Sequence, residues 1–502
     1  MMEALSSLLM GLQVALEPTN LFFCLVGVTI GTLIGVLPGI GPLATISILL
    51  PITFKAPPLS GIIMLAGVYY GALYGGSTTS ILVNIPGEAA SVVTCLDGYQ
   101  MARQGKAGPA LGIAAFGSFI AGTLGIVGLM LAAPPLARLA LQFGPQEYFS
   151  LVILGLTMLT FLARGAMWKS LTMAAVGIFL GCIGVDVMSG SERFTLDIME
   201  FADGIGIAPV AMGLFGISEV LLNVEQSIER SIFKTKIKHL FPSLRDWADS
   251  ILPILRGSII GFFLGILPGG GAVISSFISY AVEKKISRHP EKFGTGVIEG
   301  VAGPESANNS ASAGAFIPLL TLGIPCNPVT ALLLGAMIVF GMQPGPLLLT
   351  QHPDLFWGTI ASMYVGNFML LALNLPLIGI WVRILKVPYA ILFPLILLFC
   401  LIGVYSINNS ITEMLMMILF GIIGYFFKKF EYEAAPLILA LVLGPMFDVA
   451  LRRSLLTSAG DITTFITRPI SAVLLGSALV ILVFPLLPWF KKKRNEIADL
   501  KE

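Results

Sequence analysis

The sequence predicts an all-α, polytopic transmembrane helix bundle with about twelve spans, arranged as two inverted repeats with paired re-entrant or broken helices. Three observations predict this fold. Hydrophobic residues make up 56% of the 502 residues and charged residues only 11%, too little charge to cover a water-soluble domain of this size. Apolar stretches long enough to cross a hydrocarbon core of about 30 Å recur along the chain. A motif rich in Gly and Pro occurs once in each half.

Several of the apolar stretches are shorter than the ~20 residues that a helical span needs. Because these are also rich in Gly and Pro, we expect them to form half-helices or re-entrant hairpins. The predicted segments lie near residues 17–37, 43–54, 59–83, 110–133, 147–164, 170–188, 206–223, 251–268, 271–283, 294–325, 356–380, 388–403, 411–428, 433–451 and 470–490.

A hydrophilic stretch at 224–250 divides the chain and carries five Lys and Arg residues. We therefore predict an N-terminal transmembrane repeat (1–223), a cytoplasmic linker (224–250), a C-terminal transmembrane repeat (251–490) and a tail (491–502). The tail begins with four consecutive basic residues directly after an apolar run, so the positive-inside rule puts it in the cytoplasm as well. The acidic loop 189–205 is expected on the outer side.

The repeat is visible as a duplicated motif, "GTLIGVLPGIGP" from Gly31 and "GFFLGILPGGGA" from Gly261. Further along, "NIPGE" at 84–88 is matched by "GIPCN" at 323–327. Chance rarely gives such agreement over twelve positions and a second landmark. The chain therefore carries two copies of one unit.

The loops of the two copies have opposite charge patterns. The connection after the first motif holds only Lys55 in the first copy, but four Lys and Arg residues within 284–292 in the second. After the second landmark the bias reverses, since the first copy has Arg103 and Lys106 and the second has no Lys or Arg within 326–350. Corresponding loops then face opposite sides of the membrane, as an inverted-topology repeat predicts.

The Gly- and Pro-rich motifs are the first candidate binding elements. Such clusters break a helix and release backbone groups that lipid cannot satisfy, so they are tolerated where they line a cavity or bind a ligand. Each is followed by an apolar half-helix whose N-terminal amides could face an anion. Tight packing through small residues is the alternative. The candidate residues are Gly39, Gly41, Gly269, Gly270 and Gly271.

Hydroxyl and amide side chains in two small-residue segments are the second candidate. They would be costly in the membrane unless they were buried in protein or lined a wet cavity. A single Ser or Thr in a membrane helix often bonds only its own backbone, which is the alternative at Ser80 and Ser312. The predicted substrate contacts are Ser77, Thr78, Thr79, Asn84, Ser306, Asn308, Asn309 and Ser310.

Glu305 is the ionisable group that we predict inside the membrane beside these polar residues. A carboxylate there could bind Na⁺, with Asn309 close by, or take up a proton, and so couple substrate movement to an ion gradient. The alternative is a position at a loop edge, because Pro304 could end a helix at the interface.

Other functional classes have little support. The three histidines lie in charged or Pro-rich loops, and the sequence contains no HExxH, GxSxG or Walker-type motif. The five cysteines are far apart, and a net charge of +1 without a basic tract argues against nucleic acid as a partner. We therefore expect no cofactor and no metal centre, and an ion gradient remains as the energy source.

The strings "GVLPGIGPLATISILLP", "GGSTTSILVNIPGE", "GILPGGGAVISSFISYAVEKK" and "GPESANNSASAGAFIPLLTLGIP" resemble the large membrane subunit, the TctA type, of the tripartite tricarboxylate transporters. The resemblance runs over nearly the whole chain. It implies a secondary transporter in a bacterial inner membrane that brings a citrate-like tricarboxylate or dicarboxylate into the cell on a cation gradient. It also implies a small membrane subunit (TctB type) and a periplasmic solute-binding protein (TctC type) as partners.

The two copies differ at one point, since Cys326 and Asn327 stand where the first copy has Gly87 and Glu88. The two hairpin tips therefore need not play equal roles. Two functions of other classes remain as alternatives. An intramembrane enzyme would use Glu305 or a histidine as base, but no acid/base pair is visible. A structural scaffold for a membrane complex would leave the polar hairpins without a purpose.

Overall fold

The computed structural model describes residues 2–37, 41–162, 167–225, 240–269, 271–342, 344–384 and 389–483. Gly39, Gly270, the linker segment 226–239 and the tail 491–502 lie outside the described residues. The helices are α1 (Met2–Ala15), α2 (Pro18–Val36), α3 (Gly41–Thr53), α4 (Pro58–Val83), α5 (Val92–Arg103), α6 (Ala107–Ala140), α7 (Pro145–Leu162), α8 (Met167–Gly181), α9 (Ile207–Ala211), α10 (Ser218–Glu225), α11 (Leu244–Ile266), α12 (Gly271–Ile286), α13 (Glu299–Leu322), α14 (Pro328–Val339), α15 (Leu348–Gln351), α16 (Pro353–Asn374), α17 (Ile378–Ile384), α18 (Tyr389–Asn408), α19 (Ile411–Lys429), α20 (Ala435–Thr457), α21 (Thr464–Thr467) and α22 (Pro469–Val483).

The fold is helical throughout, which confirms the predicted all-α class. In the described residues, β-structure is limited to the antiparallel pair β1 (Gly184–Val185) and β2 (Glu192–Arg193). Short 3₁₀ turns and one π-helical segment complete the regular structure. They are Ala89–Ser91, Met199–Phe201, Pro290–Lys292 and the π-helical Met212–Ile217, which joins α9 to α10.

Eight helical runs among the described residues are long and apolar enough to cross a membrane: α2, α4, α6, Ile207–Glu225, α11, α16, α19 and α20. Shorter apolar helices, such as α3 and α14, accompany them. The multi-pass membrane class is thereby confirmed. The count of about twelve spans and the inverted relation of the two halves stay predictions.

Contacts divide the chain into two compact units. Unit 1 comprises Met1–Arg138 and Ala208–Phe426, and unit 2 comprises Leu139–Ile207 and Phe427–Glu502. This grouping reflects contacts and not duplication, so the predicted division at 224–250 stays a prediction. Unit 1 contains both duplicated motifs.

In unit 2 the β1–β2 hairpin is tied to α20 by charged side chains. The carboxylate of Asp186 lies 2.8 Å from guanidinium nitrogens of both Arg193 and Arg452. Arg193 also forms an ion pair of 3.0 Å with Asp448 on α20. Two arginines and two carboxylates therefore fix the hairpin on the helix.

Within unit 1 the duplication extends to helix packing. The glycines that precede each helix break lie against the backbone of the next long helix, α4 for α2 and α13 for α11. A Cβ on any of them would come within 2.1–2.6 Å of a backbone carbonyl oxygen, far inside contact distance, so only glycine fits. The glycines with these contacts are Gly27, Gly31 and Gly35 in α2, and Gly257, Gly261 and Gly265 in α11. Tight packing, the alternative considered for the motifs, explains these glycines, which precede the breaks themselves.

Helix α13 differs from its neighbours in its polarity. It has 24 residues, about 36 Å at 1.5 Å per residue, yet it is too polar to be among the long apolar helices. Every residue from Gly300 to Thr321 is buried. Pro304 lies inside the helix and does not end it. The loop-edge alternative for Glu305 is therefore wrong, because this residue lies in the second turn of an enclosed helix and is 0% exposed.

Candidate functional site

The two hairpin tips, residues 84–91 and 323–330, have the same backbone shape. Asn84 ends α4 and Gly323 ends α13, both in the left-handed conformation, with φ of 58° and 69°. Glu88 and Asn327 then adopt nearly identical extended conformations (φ −148° and −151°, ψ 168° for both) and begin the next helical turn with a capping box. The tips therefore differ in chemistry, carboxylate against amide, and not in geometry.

Each helix break lies against the tip of its own copy. The backbone N–H of Gly269 donates to the carbonyl oxygen of Cys326 at 2.6 Å. In the first copy, a Cβ on Gly87 would lie 1.9 Å from the carbonyl oxygen of Gly35, the last but one residue of α2. The breaks are thus supported by protein backbone, as the loss of helical hydrogen bonds requires.

The two copies meet on α4. Asn327 of the second tip donates its amide N–H to the hydroxyl oxygen of Tyr69 at 3.1 Å. Leu73, one turn further on, forms a buried apolar cluster with Ala90 of the first tip and Ala272 after the second break. Both tips and the second break are therefore neighbours along one helix.

Glu305 accepts hydrogen bonds from three elements. Its Oε2 atom lies 2.5 Å from the hydroxyl of Ser77 on α4 and 3.1 Å from the amide nitrogen of Asn308 on α13. The hydroxyl of Thr94 on α5 donates to Oε1. Within the ranges given above, no ion pair reaches this carboxylate. The carboxyl group is thus held by three neutral partners.

A second set of bonds joins α13 to α6. Asn309 donates its amide N–H to the hydroxyl of Ser118 at 2.8 Å and to the carbonyl oxygen of Glu305 at 3.0 Å. The same nitrogen lies 2.6 Å from the side-chain oxygen of Asn308. Because Asn308 turns its nitrogen toward Glu305 and its oxygen toward Asn309, that oxygen does not join the carboxylate as a cation ligand, and the predicted Na⁺ site near Glu305 and Asn309 stays a prediction.

A pocket opens beside this cluster. Its polar lining comes from Tyr74, Ser77, Thr78, Ser118 and Asn374, and its apolar lining from Leu111, Ala114, Ala115 and Ile378. The described lining contains no Lys, Arg or His. The space open to the centre of a water molecule is about 10 Å³, room for about one water. An organic ligand would require these helices to move apart.

Asn374 is the unsatisfied group of this pocket. It is 5% exposed, and its side-chain oxygen has no hydrogen-bond partner in the part of the chain that the structure covers. Its nitrogen donates to the carbonyl oxygen of Leu370 at 2.9 Å. A buried, unpaired amide oxygen is costly, so this atom is a candidate ligand contact.

Other predicted contacts lie away from the pocket. Thr79 donates to the carbonyl oxygen of Val36 at 2.8 Å and so holds the end of α2. Ser310 donates to the carbonyl oxygen of Ser258 at 2.7 Å and holds α11. Asn84 is exposed.

Three further candidates are placed as follows. The hydroxyl of Ser306 is buried without a described hydrogen-bond partner, and a Cβ on Gly117 of α6 would approach it to 3.1 Å. Gly41 has φ +66° and open space around it, and Gly271 has φ +44° and lies near Asn327.

Thr94, Ser118, Tyr74 and Asn374 are site residues that the sequence reasoning missed. Each is a single polar side chain in an apolar helix or next to a hydrophobic tip. Isolated polar residues in membrane segments are the signal that could have identified them, but their partners are distant in sequence.

Asp97 was also missed. Its carboxylate, 0% exposed, accepts the backbone N–H groups of Gly294, Gly296 and Val297 at 2.8–3.0 Å. The hydroxyl of Tyr280 donates to it at 2.8 Å. Asp97 thereby fixes the loop that leads into α13, three residues beyond Thr94 on the same helix. It is an anchor for the polar helix and not part of the pocket.

The sequence model described as "Tripartite tricarboxylate transporter TctA family" matches residues 21–439. An Agrobacterium vitis protein, "Uncharacterized 52.8 kDa protein in TAR-I ttuC' 3'region", is 51% identical over 497 residues, 99% of each chain. An "Uncharacterized protein in TAR-II ttuC' 3'region" from the same organism is 54% identical over 237 residues, 47% of this chain and 98% of its own length. No solved structure matches.

Proposed function

Because the chain belongs to the tripartite tricarboxylate transporter TctA family, we propose that it is the large membrane subunit of a secondary active transporter that brings a citrate-like tricarboxylate or a dicarboxylate into the cell. The family is one of transporters, which favours transport over catalysis. The proposal extends to a cation gradient as energy source, to a small membrane subunit and to a periplasmic binding protein that delivers the substrate. It also puts the protein in a bacterial inner membrane with a cytoplasmic C-terminus.

The observation that carries the proposal is the enclosed polar helix α13 with its carboxylate beside a polar pocket. Charged groups inside a membrane domain are costly and mark substrate or ion pathways. Broken helices in both halves and a site at the contact of the two copies are typical of secondary transporters. A scaffold would need neither a buried acid nor an unsatisfied amide oxygen at Asn374.

The pocket suits a carboxylate through hydrogen-bond donors. The hydroxyls of Ser77, Thr78 and Ser118 can each donate one proton to an anionic oxygen, whereas the hydroxyl of Tyr74 donates to the side-chain oxygen of Asn367 at 2.8 Å. The nitrogen of the Asn374 side chain is held by the carbonyl oxygen of Leu370, so its free oxygen can accept a hydrogen bond from a substrate hydroxyl group. Neutral donors confer orientation but little charge compensation, so a transported cation has a clear role.

Alternating access is the mechanism that we assign to the chain. The closed pocket represents one state of the carrier, and the substrate enters when the first-copy elements α4 and α5 separate from α13 or α6. The hydrogen bonds of Glu305 connect α4 and α5 to α13, so they must rearrange in any such motion. Binding of substrate and ion at this position would therefore bias the conformational equilibrium.

Transport by the reconstituted complex tests the proposal. The chain is purified with its small membrane subunit, placed in proteoliposomes and supplied with the binding protein and a panel of labelled di- and tricarboxylates that begins with citrate. We expect accumulation that stops when the Na⁺ and proton gradients are collapsed. The Asn308→Ala and Asn309→Ala variants should assemble but lose uptake. Channel-like downhill flux, or no uptake of any carboxylate by an intact complex, would contradict the proposal.

A further inference from the structure

We propose that Glu305 is a proton-binding site and that Ser77 reports its protonation state to the pocket, so that a proton and a carboxylate bind together. The inference rests on the proposed transport function and assigns its coupling ion. With Glu305 ionised, the Ser77 hydroxyl donates to Glu305 and the pocket rejects an anion. With Glu305 protonated, the same hydroxyl donates into the pocket and the anion binds.

The Ser77 hydroxyl has a single proton to donate. Its oxygen lies 2.5 Å from Oε2 of Glu305 and also lines the pocket. A separation of about 2.5–2.7 Å is typical of an O–H donor on an ionised carboxylate. A hydroxyl has one proton and two lone pairs. When the proton lies toward Glu305, only lone pairs remain for the pocket, and these repel a carboxylate oxygen.

Protonation of Glu305 reverses the direction in which the Ser77 hydroxyl donates its proton, and no heavy atom needs to move. The carboxyl group then carries its O–H on Oε1, for which the hydroxyl oxygen of Thr94 is the acceptor. Oε2 keeps the amide N–H of Asn308 and is now a neutral carbonyl oxygen. A substrate carboxylate is a stronger acceptor than this oxygen or the carbonyl oxygen of Leu73, 3.1 Å from the Ser77 hydroxyl, so the Ser77 proton is donated into the pocket.

Electrostatic repulsion also favours substrate binding to the form in which Glu305 is protonated. A substrate oxygen at about 2.7 Å from Ser77 would lie roughly 5 Å from the Glu305 carboxylate, on the far side of one hydroxyl. Two negative charges at that separation in a buried site repel strongly. The described lining offers no Lys, Arg or His as compensation, so one proton on Glu305 removes the repulsion.

The other titratable groups around Glu305 do not supply a positive charge. Tyr74 on α4 and Cys95 on α5 are the groups whose charge interacts with Glu305, and both are neutral or negative. On the side of α6 the facing polar group is Ser118. On its own helix, Glu299 lies nearly two turns earlier.

The charged side chains of α5, α11 and α12 that lie near α13 already have partners of their own. Arg256 of α11 forms a two-point ion pair with Glu283 of α12, at 2.8 and 2.5 Å. This pair, whose Glu283 side chain lies beside Gly303 of α13, has no net charge. Asp97 of α5 is held by its four donors. Among the described residues, Glu305 is therefore the acidic group whose charge would oppose a carboxylate in the pocket.

Proton uptake by the wild-type complex is the first test. The reconstituted complex in weakly buffered solution with a pH-sensitive dye receives citrate or another carboxylate that it has been shown to transport. We expect one proton taken up per substrate bound, and an apparent affinity that rises by up to about tenfold for each pH unit of acidification. Substrate binding with no proton uptake by a transporting complex would overturn the inference.

Variants locate the proton. Glu305→Gln fixes the neutral form, so we expect it to exchange substrate across the membrane with little pH dependence but to lose accumulation driven by a pH gradient. Ser77→Ala should weaken binding about tenfold and flatten its pH dependence, because the donor to the pocket is gone. The matched control is Ser258→Ala, another buried serine whose hydroxyl bonds its own helix at Ile254, and its pH profile should equal the wild type.

The two proposals fail in different ways. If the wild-type complex neither exchanges nor accumulates any carboxylate, the transport function is wrong. If it accumulates substrate on a Na⁺ gradient but not on a pH gradient, or if Glu305→Gln accumulates like the wild type, transport stands and the proton site is overturned. Because proton uptake is measured on the wild-type protein, a variant that fails to assemble does not prevent the decision.

Discussion

Replacement of Asp97 should destabilise the loop that leads into α13 in proportion to the donors that lose their acceptor. Asp97→Ala leaves three backbone N–H groups and the hydroxyl of Tyr280 without the carboxylate that now accepts them. At about 0.5–1 kcal/mol for each of these partly exposed donors, the free energy of unfolding should fall by about 2–4 kcal/mol. Asp97→Asn keeps one acceptor oxygen but turns an NH₂ group toward the donors, so a loss of about 2–3 kcal/mol is expected.

Tyr280→Phe is the smallest member of this series, because it removes one donor and leaves the three backbone bonds in place. We expect a loss of about 1 kcal/mol. Reversible unfolding in mixed detergent micelles gives the free energies, and proteolysis at residues 294–297 reports on the loop itself. An Asp97→Ala variant as stable as Tyr280→Phe, or an unchanged rate of loop cleavage, would refute the anchoring role.

Three further predictions address packing and charge. Gly261→Ala puts a Cβ 2.1 Å from a carbonyl oxygen of α13, so the yield of monodisperse protein in size-exclusion chromatography should collapse, whereas Gly476→Ala, with no heavy atom within 4 Å, should be silent. Arg256→Leu leaves the buried carboxylate of Glu283 unpaired and should cost about 3–5 kcal/mol in the same unfolding assay, with partial recovery in the double variant that also carries Glu283→Gln. The pKa of Asp186 lies below its usual range because a serine hydroxyl, a backbone N–H and two guanidinium groups stabilise its ionised form. The ionised carboxylate therefore stabilises the fold above about pH 4, and this contribution is lost as the pH falls through the lowered pKa. The difference in melting temperature between wild type and Asp186→Asn should be constant from neutral pH down to about 4 and should disappear in stronger acid.

Composition was enough to predict the helical membrane class, and local motifs were enough to predict where helices break. The chain leaves the helical conformation at Leu37 and again at Leu267, directly at the two Leu-Pro-Gly strings. These features depend on neighbouring residues alone, since Pro and Gly act on their own turn of helix. The sequence also predicted Glu305 as a buried group beside its amide neighbours, because an ionisable side chain is costly in an apolar segment and is rare there unless it has a function; its role as an ion site stays a prediction.

The direction of each polar side chain could not be predicted in the same way. Ser77, Thr78, Thr79 and Ser80 are consecutive, and successive residues of an α-helix point about 100° apart. Ser77 and Thr78 accordingly line the pocket, whereas Thr79 bonds α2 and Ser80 bonds the first tip. Four consecutive hydroxyl side chains thus have three different partners, the pocket, α2 and the first tip. Tertiary packing alone decides which side chain contacts which partner.

Partners that are distant in sequence were missed for a related reason. Thr94 and Ser118 are single hydroxyls with no local pattern, and they become part of the site because α5 and α6 pack against α13. Periodicity locates a helix face but not the helix that covers it. The anchoring carboxylate of Asp97 belongs to the same class, since its ligands are backbone N–H groups that carry no sequence signal.

The two hairpin tips share one backbone shape but differ in side-chain chemistry. If the tips are aligned through Glu88 and Asn327, the position that corresponds to Glu305 in the first copy is Ala66, and the position that corresponds to Ser77 in the second is Phe316. Both are fully buried, so neither copy repeats the acid or the reporting hydroxyl of the other. The corresponding positions of the two copies therefore supply the proposed pair once. A proton count of one per substrate follows from this asymmetry, and a measured count of two would require a second acid that the duplicated position does not provide.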